Sequence, residues 1–249
     1  MIKKVLLNFV VICCMIISQR ARGQTVADDT TIQRAALANI TDTYNHAIGQ
    51  QSRLYNGPEY TLYNPTIKGN AYFTDINTFV IGTVTYDGIF YKNVPMMYDL
   101  YIDIVAVRLY NNFSIFTLLN ERMQSFDLLN HHFIYIKSDS LSAKAGLGTG
   151  FYDQLYNGDI EVLVKRSKEI QSNSGTSGIE TYFTTLSRRF YLKKANSYYS
   201  ISGEGALLNM LKDKKKELQQ YIKINKIKFK KTPEEAMVAI VTQYDKLSR

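Results

Sequence analysis

The feature that most constrains this chain is a series of short β-forming runs joined by two-residue turns within residues 70–202. Asp87-Gly88 follows the run Phe79–Tyr86, and Asn157-Gly158 follows the run Phe151–Tyr156. A type I′ turn needs positive φ at both central residues, which Gly adopts freely and Asn or Asp adopts more readily than most residues. Both dipeptides therefore predict β-hairpins.

Further runs rich in Tyr, Phe, Ile, Val and Thr extend this pattern. Asn111-Asn112 is a weaker turn signal between Tyr101–Tyr110 and Phe113–Leu119. The remaining candidate strands are Gln124–Leu129, Phe133–Lys137, Thr181–Thr185, Arg189–Lys193 and Tyr198–Ile201. About a dozen short strands predict a mainly β fold with flanking α, in which an antiparallel meander forms a sandwich or a partly open barrel. Ser138–Gly150 and Gln171–Gly178 are rich in Ser and Gly, which predicts mobile loops.

Helical patterns flank this β body on both sides. In residues 24–69, apolar residues recur near a period of 3.6 between positions 27 and 48, which predicts an N-terminal helix and then a connecting segment. Residues 203–249 predict two amphipathic helices, and the second begins at Thr232-Pro233-Glu234-Glu235, where Thr can cap and Pro suits the first helical position. The first helix is expected to pack on the β body through Leu207, Leu211, Leu218 and Ile222.

Residues 1–23 have the features of a secretory signal peptide. Met1-Ile2-Lys3-Lys4 is cationic, and the apolar run Val5–Ser18 follows it. About fourteen apolar residues make a helix of roughly 21 Å, which is shorter than the ~30 Å hydrocarbon core of a bilayer. Small residues precede the position between Gly23 and Gln24, so we predict cleavage there. The alternative is a retained single-span anchor.

Cysteine usage fits an exported protein held together by its core. Cys13 and Cys14 both lie in the apolar run, so the processed chain would contain no cysteine. Disulfides, cysteine nucleophiles and thiolate metal sites are thereby excluded from it. We expect a periplasmic or extracellular protein without a transmembrane span in the mature chain, with association to the outer membrane as a further option.

The positive charge of the chain is concentrated at its two ends. The formal net charge is +8, and the signal segment contributes four basic residues and no acidic ones. Residues 24–202 hold 15 basic and 16 acidic residues, whereas residues 203–249 hold 11 and 6. The nearly neutral body argues against nucleic-acid binding. We expect an exposed cluster of lysines at Lys212, Lys214, Lys215 and Lys216. This cluster would be either a contact for an anionic surface or a solvated helix face.

Catalytic chemistry has little support in the sequence. Asp99 and Asp103 would share a strand face at about 13 Å, which is too far apart for a glycosidase pair. The weak catalytic candidates are Asp99, Asp103, Asp153 and Glu161. His131 and His132 are adjacent and would point to opposite faces of a strand, so we interpret them as turn or surface residues. No cofactor and no metal site are expected.

Four motifs resemble landmarks of uncharacterised exported proteins from Gram-negative bacteria. They are Leu54-Tyr55-Asn56-Gly57-Pro58-Glu59-Tyr60, Val94-Pro95-Met96-Met97-Tyr98-Asp99, Gly150-Phe151-Tyr152-Asp153-Gln154-Leu155-Tyr156-Asn157-Gly158 and Leu211-Lys212-Asp213-Lys214-Lys215-Lys216. The resemblance covers most of the mature chain. It implies export and a β-rich body, and it supplies no catalytic residue.

The expected function is a non-enzymatic binding or scaffold module of the cell envelope. An antiparallel β body with loops needs no catalytic constellation in order to bind a partner. The expected partner is an envelope protein, a glycan or a lipid, and not a nucleic acid. One alternative is a hydrolase that uses the carboxylates named above. Another is a carrier of a lipid or other apolar ligand, if the sheet closes around a cavity.

Overall fold

The computed structural model describes residues 53–109, 113–175 and 178–248, together with six positions of the predicted N-terminal helix. Those six positions, all helical, are Gln33, Ala36, Asn39, Ile40, Thr43 and Tyr44. The chain divides into two compact units, Met1–Thr41 and Asp42–Arg249. The predicted signal peptide, its cleavage position between Gly23 and Gln24, and the rest of the N-terminal helix lie outside the described residues.

The second unit is mainly β, as predicted. The strands in its described residues are β1 (Val80–Tyr86), β2 (Ile89–Asp99), β3 (Ile104–Arg108), β4 (Ile115–Thr117), β5 (Met123–Leu128), β6 (His131–Ile136), β7 (Gly150–Asn157), β8 (Ile160–Ser167), β9 (Ile170–Gly175), β10 (Gly178–Phe183), β11 (Ser187–Lys194) and β12 (Ser197–Ile201). Ten of them form one antiparallel sheet in the order β12-β11-β8-β7-β6-β5-β1-β2-β3-β4. Strands β9 and β10 form a separate two-stranded sheet.

The two strongest hairpin predictions are confirmed, but only one turn has the expected backbone. Asp87 and Gly88 join β1 to β2 with φ values of 52° and 76°, as a type I′ turn requires. The hairpin of β7 and β8 also forms, yet Gly158 lies outside the left-handed region. Position 158 requires glycine for lack of space, because a Cβ there would lie 2.3 Å from Asp245 Oδ2 and 2.6 Å from the Tyr156 ring.

The predicted strand Tyr101–Tyr110 is wrong at its beginning. Strand β3 starts only at Ile104, because the preceding residues form a turn. Asp99 Oδ1 accepts the backbone N–H groups of Tyr101 at 2.9 Å and of Ile102 at 3.2 Å, which bends the chain back. Strands β3 and β4 do pair, whereas the predicted turn Asn111-Asn112 lies outside the described residues.

Both segments predicted as loops contain regular structure, so the prediction is wrong in part for Ser138–Gly150 and wrong for Gln171–Gly178. Helix α1 (Ser140–Lys144) lies within the first, and Asp139 Oδ1 accepts the backbone N–H of Ser142 at 2.8 Å at its start. The second forms the β9–β10 hairpin, in which Ile179 pairs with Ser174. Residues 171–175 are exposed throughout, so this strand has no buried face and no alternating pattern to read.

The ten-stranded sheet curls around an aromatic core. Tyr98 of β2 meets Phe151 of β7 at a ring-centroid distance of 6.0 Å, although these strands are four places apart in the sheet. Phe126 and Phe133 stack beside them at 4.6 Å. The sheet is not closed, and β4 and β12 are its two edges. The segment before β1 covers the β4 edge, since Tyr60 N–H bonds to Ile115 O at 2.8 Å.

Helices cover one face of the sheet at its β12 end. They are α2 (Glu204–Met210), α3 (Lys215–Ile224) and α4 (Pro233–Ser248), with a 3-10 turn at Lys212–Lys214 between the first two. The first predicted helix is therefore divided in two, while Pro233 begins the second as expected. The helices share an apolar cluster with Ile160, Val162, Leu192 and Ile201 of the sheet, and Leu207, Leu211 and Leu218 are fully buried in it. No helix in the described parts of the chain has the length and apolarity needed to cross a bilayer.

Candidate ligand-binding pocket

A pocket of about 310 Å³ lies between the segment that precedes β1 and the end of β10. The segment supplies most of its wall, and Phe183 of β10 supplies the opposite side. The lining residues are Leu62, Tyr63, Asn64, Pro65, Ile67, Gly69, Asn70, Ala71, Tyr72, Asn77 and Phe183. Its volume is at the lower end of the range of sites that bind small molecules.

Backbone hydrogen bonds fix the pocket wall, which contains one short 3-10 turn, Phe73–Asp75, and no long strand. Lys68 N–H donates to Thr181 O at 3.0 Å, and Phe183 N–H donates to Lys68 O at 2.9 Å, so the wall is joined to β10. Leu100 N–H donates to Ala71 O at 2.9 Å, which joins it to the β2–β3 turn. The wall is thus tied at Lys68 to the two-stranded sheet and at Ala71 to the turn between β2 and β3.

A buried carboxylate lies behind the aromatic side of the pocket. Asp99 is 0 % exposed, and its Oδ2 accepts the hydroxyl groups of Tyr60 at 2.8 Å and Tyr63 at 2.6 Å. Its Oδ1 is taken by the two N–H groups of the β2–β3 turn described above. Four donors satisfy this carboxylate, which is the condition under which an ionised group tolerates burial.

The phenols around Asp99 are held in their protonated form. Burial, the hydrogen bond with Tyr72 and the Asp99 charge raise the pKa of Tyr60 far above its ordinary value. Burial and the hydrogen bond to Asp99 raise the pKa of Tyr63 in the same way, and burial raises that of Tyr72. The aromatic wall is therefore neutral, and Tyr63 donates its hydroxyl hydrogen inward to Asp99.

Aromatic rings continue from the pocket to its rim. The Tyr63 ring meets Phe183 edge-on at a centroid distance of 5.0 Å and Tyr101 at 6.1 Å. Tyr101 and Phe183 are themselves 5.9 Å apart, so the three rings form one cluster. Tyr101 and Leu62 are exposed, and they extend the apolar surface beyond the pocket. A ligand in the pocket would meet ring faces and edges on this side.

Of the other predicted carboxylates, Asp153 is the most deeply buried. Its Oδ2 accepts Arg166 Nε at 2.9 Å and Nη2 at 2.5 Å, and it lies 2.7 Å from His131 Nδ1. Arg166 also binds both oxygens of Glu234 of α4 at 2.8 Å. Asp153 therefore joins the sheet to the helical layer through Arg166. The interpretation of His131 as a turn or surface residue is wrong, because it is half-buried in this network on β6.

Asp103 lies in the β2–β3 turn and is bound from three sides. Its Oδ1 accepts the Tyr98 hydroxyl at 2.5 Å, and its Oδ2 accepts Lys165 Nζ at 2.5 Å and Phe151 N–H at 3.2 Å. Burial lowers the pKa of Lys165, and the Asp103 charge works against that shift. Gly150 makes room for the pair, since a Cβ there would lie 2.1 Å from Asp103 Oδ2.

The remaining predicted residues lie elsewhere on the surface. Glu161 pairs with Lys193 Nζ at 2.6 Å and accepts Gln154 Nε2 at 2.8 Å on the face of the sheet. None of the four candidate carboxylates lines the pocket. Lys212 and Lys216 are exposed as predicted, but Lys214 and Lys215 are half-buried, and Lys215 Nζ donates to Asn209 Oδ1 at 2.8 Å.

Possible metal ligands do not converge in the described parts of the chain. His132 Nδ1 lies 2.6 Å from Asp127 Oδ1 and is exposed, whereas His131 turns toward Asp153. Among the described residues, no group of three or more His, Cys, Asp or Glu side chains could hold a metal ion. His46 lies outside them.

Sequence reasoning missed the pocket residues. Tyr63 and Tyr72 look like ordinary packing residues, and the only local signal was the dense run of Asn, Pro and Gly between them. Comparison of the chain with protein-family models, curated proteins and solved structures finds no match. The chemistry of the pocket is therefore the basis on which a function is proposed below.

Proposed function

We propose that this chain is a non-enzymatic binding protein of the cell envelope whose pocket takes a neutral saccharide unit. One observation carries the proposal. The pocket lining combines three aromatic rings with three carboxamides, and it contains no Asp, Glu, Lys, Arg or His. The rings are Tyr63, Tyr72 and Phe183, and the carboxamides are those of Asn64, Asn70 and Asn77.

This lining suits a sugar better than the other expected ligands. Aromatic faces pack against the C–H faces of a pyranose ring, and the exposed carboxamide of Asn77 can donate to one hydroxyl and accept from another. The oxygens of Asn64 and Asn70 already accept backbone N–H groups of the wall, from Thr66 and Tyr72. An anionic ligand would meet no counter-charge in the lining. Behind the wall, Asp99 is negative, and Lys168 Nζ, which donates to Asn70 O at 2.7 Å, is already paired with Asp75. A neutral polyhydroxylated ligand meets neither cost.

The support for binding over catalysis comes from the carboxylates. A general acid or nucleophile must reach the substrate, whereas Asp99, Asp103 and Asp153 are each held by hydrogen bonds from within the protein. Glu161 is paired with Lys193 away from the pocket. The carrier alternative required a closed sheet, and this sheet is open. Neither alternative has a structural observation in its favour.

The proposed location follows from the sequence. A cationic start, a short apolar run and small residues before the cleavage position support export to the periplasm or the cell exterior. N-terminal sequencing of the protein from its native envelope should begin at Gln24. Recovery of an intact first segment in the membrane fraction would contradict export with cleavage.

The binding proposal is tested with neutral and acidic envelope oligosaccharides in a binding array, followed by titration of the best ligand. Asn77→Ala removes an exposed lining carboxamide, and we expect affinity to fall about tenfold because a hydrogen bond to a bound ligand is lost. Asn56→Ala is the matched control, since Asn56 is exposed outside the pocket. Binding that is confined to acidic glycans, or equal loss in both variants, would contradict the proposal.

A further inference from the structure

The end of α3 and the segment that leads from it to α4 present a dense set of positive charges. This basic connector, residues 223–231, contains five lysines within nine residues, and all five are exposed. They are Lys223, Lys226, Lys228, Lys230 and Lys231. The connector is separate from the Lys212–Lys216 cluster, which lies at the start of α3, and sequence reasoning did not single it out.

Acidic side chains do not neutralise this surface. The sequence from Leu218 to Pro233 contains no Asp or Glu. Within the described residues, the ion pairs of the structure include none of the five connector lysines. The next acid, Glu234, is already bound by Arg166 and Arg188, while Glu235 beside it is exposed. The connector therefore keeps a strong positive potential.

The connector is held in place by its own apolar residues and backbone. Phe229 is buried in the helical layer and Ile227 packs against it, so alternate residues point inward. Ile227 N–H donates to Ile222 O at 3.0 Å, and Lys231 N–H donates to Lys228 O at 2.9 Å. The lysines are thus displayed on an ordered backbone, which reduces the entropy lost when they engage a partner.

One apolar side chain stands among these charges. Ile224 ends α3 with 67 % of its surface exposed, beside Lys223 and close in sequence to Lys226. An exposed aliphatic side chain surrounded by lysines is the pattern of proteins that lie on a bilayer, because lysines attract headgroups while the apolar group enters the interface.

We propose that the basic connector docks this protein on an anionic lipid surface, with its lysines on headgroup phosphates and Ile224 in the interfacial region. The composition favours lipid over nucleic acid. All five cations are lysines, which act as point charges, and the connector lacks the arginines that bind phosphate in a bidentate manner. Its single aromatic residue, Phe229, is buried and cannot stack on a base.

The loss of affinity for an anionic bilayer can be estimated for each substitution in the connector. Each lysine close to an anionic bilayer contributes roughly fivefold to the binding constant. Lys223→Gln/Lys226→Gln/Lys228→Gln should therefore weaken binding about a hundredfold, and Ile224→Ser about tenfold through lost apolar burial. Binding should also fall steeply with salt, because the Debye length shrinks from about 10 Å at 0.1 M to about 3 Å at 1 M.

The test is co-sedimentation of the natively processed protein with vesicles of phosphatidylcholine alone or with phosphatidylglycerol. The matched control is Lys92→Gln/Lys137→Gln/Lys144→Gln, which removes three exposed charges elsewhere. We expect binding only to the anionic vesicles, strong loss in the connector triple variant and near-native binding in the control. Unfolding midpoints should agree among all variants, since the six substituted lysines are exposed.

Three results would overturn the proposal. Absence of binding to phosphatidylglycerol vesicles would show that the connector is no lipid surface. Equal loss in the two triple variants would show that net charge alone is responsible. Tighter binding to a DNA duplex than to the vesicles, lost in the connector variant, would assign this surface to nucleic acid instead. Because the connector is not part of the saccharide pocket, each result is independent of the binding function proposed above.

Discussion

Alkaline pH should unfold this protein through its buried tyrosines. Tyr60 and Tyr98 are 7 % and 1 % exposed, and each donates its hydroxyl hydrogen to a carboxylate. Burial is the main cause that raises the pKa of both phenols, and the charges of Asp99 and Asp103 add to it. Tyr63 is raised in the same way beside Asp99. All three phenols are therefore harder to ionise in the folded protein than in the unfolded chain.

The sign follows from proton linkage. A group whose pKa is raised in the folded state contributes fully below the pKa of the unfolded chain, near 10 for tyrosine, and loses that contribution as the pH rises above it. Each phenol then lowers the free energy of unfolding by about 1.4 kcal/mol per pH unit. The three phenols together lower it by about 4 kcal/mol per pH unit. Burial lowers the pKa of Lys165, so this residue makes the free energy of unfolding rise with pH. That effect ends at about pH 10.4, the pKa of lysine in the unfolded chain.

Urea denaturation between about pH 11 and 12 measures this slope directly, since lysine in the unfolded chain is then largely neutral. Tyr60→Phe and Tyr98→Phe should each reduce the slope by about 1.4 kcal/mol per pH unit, whatever their cost at neutral pH. Val84→Ala is the control, because loss of a fully buried side chain lowers stability without changing the slope. A slope unchanged by both phenylalanine substitutions would refute the reasoning.

Two further substitutions test how the helical layer is joined to the sheet, and both are read by chemical denaturation. Gly158→Ala should lower the free energy of unfolding by about 1–3 kcal/mol, because its Cβ would overlap Asp245 Oδ2. The loss should be smaller in an Asp245→Ala background, and additive effects of the two substitutions would contradict this contact. Asp153→Ala should lower the free energy of unfolding by about 3–5 kcal/mol, because it leaves the buried Arg166 with Glu234 as its remaining carboxylate partner. Glu161→Ala, the comparison variant, should lower it by less than ~1 kcal/mol. Similar losses of stability for Asp153→Ala and Glu161→Ala would contradict the inference that the deeper burial of the Asp153 ion pair makes it costlier to break.

Local turn chemistry made much of the sheet predictable from the sequence. Asp87-Gly88 has few alternatives to a tight hairpin, and the β-branched and aromatic runs on either side complete the signal. The β2–β3 turn was hidden, because Leu100, Tyr101 and Ile102 look like a strand. Only the side chain of Asp99, which caps two N–H groups there, reveals that turn.

The candidate site was beyond the reach of sequence patterns for a different reason. The tyrosines that meet at Asp99 come from a segment without regular periodicity, and they precede the carboxylate by 39 and 36 residues. Tertiary contacts of this kind leave no local trace in composition. Asp99 was singled out as a weak acid candidate, yet its role in the fold is to anchor phenols.

The strand order also determines how the chain loses conformational entropy as it folds. Within β1–β4 and within β5–β8, neighbours in the sheet are neighbours in sequence, so each group requires only short loops to close. The pairing of β1 with β5 joins the two groups and closes a much longer loop. Gly82 lies at that seam, where a Cβ would stand 2.4 Å from Asp127 O. We expect the two groups to form early as separate cooperative units, and their union at this seam to limit the folding rate.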